Sequence, residues 1–369
     1  MKKMKIWTIL LVLAMLLTLV VGCADSKGPD AGKEKLDYKN IMIGETCSLV
    51  VNDEGWGQAI HESLVRALEE LGIPKENLIV IENVAGDKVA VQNAYDALVS
   101  EGVDLIIGGS ASHAPFLSDI VAENPGVVVA QQSDKMDNLI GYQIRNYEGM
   151  FVAGYLSALM ADGDLLGFAG SVSEASVRAA VNGYALGARY ANPNAKVQLV
   201  WSNSWYDVDL ETQSAKTLIG QGIEYMGGEY SSPAIPQTCE ANGAYCIGYH
   251  LDIEALAPGA ILTSFVWNFT PIFKEIITSV IEGTSSPDDY YFWGGECASL
   301  AGYNNALVPE DIQIKAEKVK ADLADGTIVV FGGELRDNKG NILVQEGEVM
   351  NDSDINTQEF LVENVLGTW

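Results

Sequence analysis

The sequence predicts an α/β protein made of two doubly wound lobes in tandem, and three observations predict it. From Ile41 onward, strand-length apolar runs alternate with amphipathic helical stretches. That order implies parallel sheets with right-handed crossovers, because a twisted strand followed by a helix packs back onto its sheet in that hand. The same rhythm restarts near Leu165, and 369 residues exceed what one hydrophobic core usually organises. Two similar lobes in tandem suggest a cleft between them.

Ile41 to Val51 is an apolar β run. Trp56 to Leu71 has helical periodicity and stops at Gly72-Ile73-Pro74, where glycine releases the helix and proline cannot continue it. Leu78 to Glu82 is a strand, Lys88 to Ser100 a helix, and Asp104 to Gly108 a buried strand. A helix around Ala114 to Glu123 precedes the strand Val127 to Ala130. Between the halves lies a helix from Tyr147 to Met160, whose Gly149, Ala153, Gly154 and Ala158 allow close packing. In the second half, Leu165 to Gly170 and Val197 to Trp201 are strands on either side of a helix from Ser176 to Tyr190. Leu210 to Gly220 is a helix, and Ile223–Gly227, Ile235–Ala241, Tyr245–Gly248 and Ile261–Phe265 continue the alternation. Past Pro309 come a helix to Leu323, a strand from Thr327 to Phe331, and Arg336-Asp337-Asn338-Lys339-Gly340. That last stretch is turn chemistry between apolar runs and predicts a hairpin finishing the second lobe.

The amino terminus carries Lys2, Lys3 and Lys5, then an apolar run of 16 residues from Ile6 to Val21. A basic start, a short apolar stretch and small residues at the cut describe a secretory signal peptide over residues 1–22. The run is short of the roughly 20 residues that span a bilayer. Leu19-Val20-Val21-Gly22-Cys23 resembles the lipobox of bacterial lipoproteins, which implies cleavage before Cys23 and lipid attached to its sulfur. Residues 23–39 then read as the lipidated cysteine and a flexible polar tether. The expected location is extracytoplasmic, anchored to the cell membrane.

The formal charge is −28, and −31 without the three leader lysines. Such a surface repels nucleic acid, because phosphate binding needs clustered Lys and Arg, so no nucleic-acid partner is expected. Cys47, Cys239, Cys246 and Cys297 show no metal-ligand spacing. A bridge between Cys239 and Cys246 suits an oxidising compartment, but the apolar run around Cys246 favours buried free thiols. His61, His113 and His250 are scattered singly, so neither a metal site nor a cofactor is expected.

In open parallel sheets, ligands bind beyond the carboxyl ends of strands, where loops and helix N-termini converge. Strand-end residues are therefore the candidates. After the first strand come Asn52, Asp53, Trp56 and Gln58; after the third comes Ser110. The second half offers Trp205, Glu229, Ser231, Asp252 and Trp267, and the crossover helix offers Tyr147. Trp56, Trp205 and Trp267 all fall where strands hand over to loops and helices, and flat aromatic faces suit planar or sugar-like ligands. Asp53 and Asp207 also stand where helix caps commonly stand. Asp252 lies in a loop with no obvious helix after it, and Ser231 either caps the next helix or donates to a ligand. Phosphate-loop, nucleophile-elbow and dinucleotide fingerprints are missing from the sequence. Asp53 and Glu229 facing each other as a glycosidase pair is a weaker possibility, since nothing in the sequence sets their separation.

Several ordered segments resemble the basic-membrane-protein family of ABC-transporter substrate-binding lipoproteins, closest to its purine- and nucleoside-linked branch. They are Glu54-Gly55-Trp56, the run NYEGMFVAGYL from Asn146 to Leu156, Asn192-Pro193, WSNSWYD from Trp201 to Asp207, and GYHLD from Gly248 to Asp252. LTSFVWN from Leu262 to Asn268 and FGGELRDNKG from Phe331 to Gly340 complete the series. The resemblance implies a type I periplasmic-binding-protein fold: two Rossmann-like lobes joined by hinge strands, closing on a ligand without catalysis. Lobe I is then expected over 40–148 plus 266–285, and lobe II over 149–265 plus 286–369. It further implies that Trp56 stacks on a base, that Asp252 contacts the ligand, and that an ABC permease is the partner. Two departures stand out. Trp267 occupies the place of a ribose-contacting lysine of nucleoside-binding relatives, and Glu229-Tyr230-Ser231-Ser232 replaces a His-Thr-Asp-Ser stretch. The expected ligand is thus a purine nucleobase or a nucleoside-like molecule. The alternatives are a ligand-sensing module for a signalling partner, a binding protein for a sugar-like ligand, and a secreted glycan hydrolase.

Overall fold

Two sheets carry the chain, and the computed structural model describes them over residues 36–369. The signal peptide, Cys23 and most of the tether lie outside the described residues. In the first half β1 (Ile43–Thr46), α1 (Trp56–Leu71), β2 (Leu78–Ile81), α2 (Lys88–Ser100), β3 (Leu105–Gly108), α3 (Leu117–Glu123), β4 (Val128–Gln132) and β5 (Ile140–Ile144) follow one another. Helix α4 (Asn146–Met160) leads to the second half: β6 (Leu165–Gly170), α5 (Ala175–Ala191), β7 (Lys196–Trp201), α6 (Val208–Gly220), β8 (Tyr225–Gly228), α7 (Ala234–Asn242), β9 (Tyr245–Gly248) and β10 (Ile261–Trp267). The chain ends with α8 (Thr270–Glu282), β11 (Tyr290–Trp293), β12 (Ala298–Leu300), α9 (Glu310–Ala324), β13 (Leu335–Arg336), β14 (Ile342–Val344), α10 (Asp352–Asn356) and β15 (Val365–Leu366).

The first sheet has the order β11-β5-β4-β3-β1-β2 and is parallel throughout. The second has the order β12-β10-β9-β8-β6-β7-β15, parallel except for β12. Helices cover the sheets, as the doubly wound expectation requires, and residues from Tyr38 onward form one unit. The start of α1 is shaped by Asp53, whose carboxylate accepts from the backbone N–H groups of Gly55, Gly57 and Gln58 at 2.9 Å each. Asp87 and Asp207 cap α2 and α6 in the same manner. Pro115 breaks the expected helix before Leu117, leaving a 3-10 turn over Ala111–Phe116.

Helices α4 and α5 lie against one another at backbone distance. A Cβ on Gly154 would run into the Tyr184 carbonyl, and one on Gly187 into the Phe151 carbonyl. Of the small residues expected to allow close packing, Gly154 serves this contact, while Gly149 lets α4 approach Ala298 and Phe265.

The chain crosses between the sheets later than the expected boundaries. Val266 and Trp267 finish β10 in the second sheet, paired with Ser299 and Ala298. Helix α8 then joins the first half: Thr270 Oγ1 donates to the Ser63 carbonyl at 3.2 Å and Lys274 pairs with Glu70 at 2.7 Å. Tyr290–Trp293, placed in lobe II by the sequence, instead edges the first sheet beside β5. Gly141 makes this possible, since a Cβ there would sit 2.9 Å from the Tyr290 ring opposite it.

Thr327–Phe331 is not a strand. The open edge of β7 is taken by Val365–Leu366, and the run's end makes only an isolated bridge, with the Met350 N–H donating to the Phe331 carbonyl at 2.9 Å and Gly332 opposite Val349. The hairpin is present, with Asp337 accepting from the N–H groups of Lys339 and Asn341 at 2.9 and 2.8 Å. It forms its own two-stranded sheet, tied to the segment before β15 by the Asn338 N–H to the Leu361 carbonyl at 2.8 Å and the Glu363 N–H to the Arg336 carbonyl at 3.0 Å. Cys47, Cys239, Cys246 and Cys297 are free and buried.

Candidate functional site

The two sheets bring the carboxyl ends of their strands to a shared region, and aromatic rings from both meet there. Trp56, the first residue of α1, donates its indole N–H to the Gly109 carbonyl just past β3 at 2.7 Å. This bond fixes the ring across the end of the first sheet. From the second sheet, Trp267 meets it edge-on with centroids 5.3 Å apart, and Phe269 does so at 5.6 Å. Trp267 and Phe269 are themselves parallel, 14° between planes.

His250 is the hub of this cluster. The Trp267 indole N–H donates to His250 Nδ1 at 3.1 Å, so Nδ1 is an acceptor and the ring proton sits on Nε2. His250 Nε2 faces Ser231 Oγ at 3.5 Å. Burial lowers the imidazole pKa to about 4, which keeps it neutral near pH 7. Its backbone is left-handed with φ of 75°, an uncommon conformation for a bulky residue and one that often marks functional positions.

Beside the rings stands a polar wall. Glu229, just after β8, is 8 % exposed and its Oε2 has no hydrogen-bond partner. Burial raises its carboxyl pKa to about 7; the Tyr249 hydroxyl opposes the shift and Glu174 adds to it. Ser171 Oγ and Tyr249 Oη are likewise buried and make no well-formed hydrogen bond, the Tyr249 hydroxyl lying between Glu229 and Asn146. A cavity of about 410 Å³ is lined by both halves, including Gln132, Asp134, Asn146, Tyr147, Glu174 and Ser176; Glu229, Tyr249 and Ser171 do not line it, and Glu174 and Asn146 lie between it and that wall. Burial raises the Asp134 pKa, and Gln143 Nε2 donates to it at 2.9 Å. Asn146 holds the edge of this cavity by donating to the Ser176 carbonyl at 3.1 Å.

The sequence candidates divide accordingly. Trp56, Trp267 and Ser231 come together through His250, while Glu229 and Tyr147 stand in the adjoining wall and cavity. Ser110 follows Gly109 and is bonded to Ser112 Oγ at 2.9 Å. Asp53 is committed to the start of α1. Gln58 donates to Glu62 and accepts from the Glu54 N–H. Asn52 is exposed, and Asp252 is exposed with Glu254 N–H on its carboxylate at 3.3 Å. Trp205 is 48 % exposed, on a loop turned to solvent. His250, Tyr249, Ser171 and Asn146 are not among the residues the sequence singles out. His250 and Tyr249 lie in the GYHLD run, whose strand-end position was the available signal. Among the described residues, no cluster of His, Cys, Asp and Glu able to hold a metal ion occurs, and no helix is long and apolar enough to cross a membrane.

The architecture has close counterparts. A solute-binding protein of an ABC transporter system from Conexibacter woesei aligns with TM-score 0.65 at 17 % identity, over 78 % of this chain and 98 % of that one. A purine-binding protein of Brucella abortus is 27 % identical over 342 residues, covering 92 % of this chain and 95 % of its own. A putative ABC transporter glucose-binding protein of Haloferax volcanii is 24 % identical over 277 residues, 74 % of this chain and 68 % of its own. The family model described as ABC transporter substrate-binding protein PnrA-like matches residues 41–298. It describes substrate-binding proteins rather than a class of enzymes. With this match over well more than half its length, two parallel α/β lobes and strand-end aromatics between them, the chain belongs to the Bmp family of ABC transporter substrate-binding proteins.

Proposed function

We propose that this substrate-binding protein captures a purine nucleobase or nucleoside-like ligand between its lobes, outside the cytoplasm, and delivers it to an ABC permease. The observation that carries the reading is the aromatic junction of Trp56 and Trp267, one ring from each lobe, beside the buried polar wall of Glu229 and Tyr249. Aromatic rings next to a few converging polar groups suit a flat heterocycle with hydrogen-bonding edges. The likeness to a purine-binding protein over nearly the whole chain supports the same ligand class. Lipid attached to Cys23 would hold the protein within diffusion reach of its permease.

A ligand that binds only the folded state raises the melting temperature. A thermal-shift panel of adenine, hypoxanthine, guanosine, inosine and adenosine therefore tests the proposal, with a rise for at least one as the expected result. No shift with any purine, and a clear one with glucose, would favour a sugar ligand and overturn the purine reading.

A further inference from the structure

Three neighbouring strands of the second sheet, β6, β8 and β9, each end in a buried polar side-chain atom that makes no well-formed hydrogen bond, Ser171 Oγ, Glu229 Oε2 and Tyr249 Oη, although the Tyr249 hydroxyl lies close enough to Glu229 to favour its ionised form. Their residues are 2 %, 8 % and 2 % exposed. A buried polar atom left unpaired costs about 1–3 kcal/mol, so natural proteins rarely keep one without a use. Three such atoms at adjacent strand ends, beside an inter-lobe aromatic cluster, describe a hydrogen-bonding surface that is completed by something else. Glu229 is the acceptor on this surface when ionised, and Tyr249 is the donor.

Resting on the purine reading, we infer that Glu229 and Tyr249 are the specificity-determining pair, with ionised Glu229 accepting the N1–H of a 6-oxopurine while Tyr249 donates to its O6. Hypoxanthine and guanine offer this donor beside a carbonyl; guanine adds an amino group on the same edge. Adenine carries an acceptor at N1 and no O6, so it does not match the pair in that register. A protonated Glu229 loses acceptor capacity, and protonation therefore competes with 6-oxopurine binding. The groups that face Glu229 are the Tyr249 hydroxyl from the end of β9 and Glu174 from the start of α5. The next residues, Ser231 and Ser232, direct their N–H groups to Glu211 of α6, and His250 beyond Ser231 stays neutral. Burial places the Glu229 titration at about 7, within reach of ordinary buffers.

The test is calorimetry with hypoxanthine, guanine and adenine from about pH 5.5 to about pH 8.5, on the wild type, Glu229→Gln and Tyr249→Phe. Above pH 7 the wild type is expected to bind 6-oxopurines more tightly than adenine. Below pH 7 their affinity falls, approaching about tenfold per pH unit, the limit for one coupled proton. Glu229→Gln keeps an amide acceptor and is expected to flatten that pH profile while still binding. Tyr249→Phe weakens 6-oxopurine binding at every pH. A preference for adenine at pH 8, or an unchanged pH slope in Glu229→Gln, overturns the inference while leaving a purine-binding protein. Binding of no purine at all would overturn the inference and the purine reading together.

Discussion

Replacing Trp56 separates packing from ligand contact. The indole is held by the 2.7 Å bond to the Gly109 carbonyl and by edge-on contacts to Trp267 at 5.3 Å and Phe269 at 5.6 Å. The hydrogen bond contributes about 1 kcal/mol net. Each edge-on ring contact adds about 0.5–1.5 kcal/mol. Trp56→Ala should thus destabilise the unliganded protein by about 2–4 kcal/mol. If the ring also stacks on a base, binding loses a further ~1–3 kcal/mol, roughly fivefold to more than a hundredfold in Kd. Trp56→Phe keeps an aromatic face and removes only the N–H and part of the ring, so its Kd should rise less. Calorimetry with the tightest purine gives Kd, and thermal denaturation of the unliganded variants gives stability. A Trp56→Ala protein with lowered stability and unchanged Kd would refute the contact and make Trp56 a packing residue only.

Gly154→Ala sets two effects against each other. Alanine favours the helix by about 1 kcal/mol, but its Cβ meets the Tyr184 carbonyl, and overpacking against backbone costs about 3 kcal/mol. A net loss of about 2 kcal/mol is expected in chemical denaturation, and a stabilised variant would contradict the close α4–α5 packing. His61 Nδ1 lies 2.7 Å from Oε2 of the fully buried Glu45, and this hydrogen bond raises the imidazole pKa above its usual 6.5. A raised pKa contributes stability that is complete below the unfolded value and fades as pH rises through the folded one. The melting-temperature gap between wild type and His61→Gln should therefore be widest at low pH and shrink above neutrality; a constant gap would dismiss the ion pair. Cys23→Ala should abolish fatty-acid labelling and move the protein from the membrane to the soluble fraction, and unchanged membrane retention would argue against the lipid anchor.

Most of the fold is legible because burial on both faces of a parallel strand leaves unbroken apolar runs such as Asp104–Gly108, and helices between them keep their own period. Edges are harder. Ile140–Ile144 contains glycine and glutamine, and Tyr290–Trp293 pairs with it from the far end of the chain, so neither announces itself locally. Thr327–Phe331 errs in the opposite direction: only its end meets another segment, in an isolated bridge at Gly332 and Val349, which is too short to make a strand. At the site, strand-end position picked out Trp56 and Trp267. The same rule picked Trp205, whose loop faces solvent, because position along the chain does not set the direction of a loop. In the sequence His250 stands as a lone histidine. Its place between Trp267 and Ser231 depends on tertiary contacts that no local spacing encodes.

Calorimetry of the purified protein tests most directly whether the cleft between the lobes holds a purine. Titrations with adenine, hypoxanthine, guanosine, inosine and adenosine, and with glucose alongside, should give saturable binding to at least one purine and none to glucose. Tight binding of glucose, with no heat from any purine, would contradict a purine ligand.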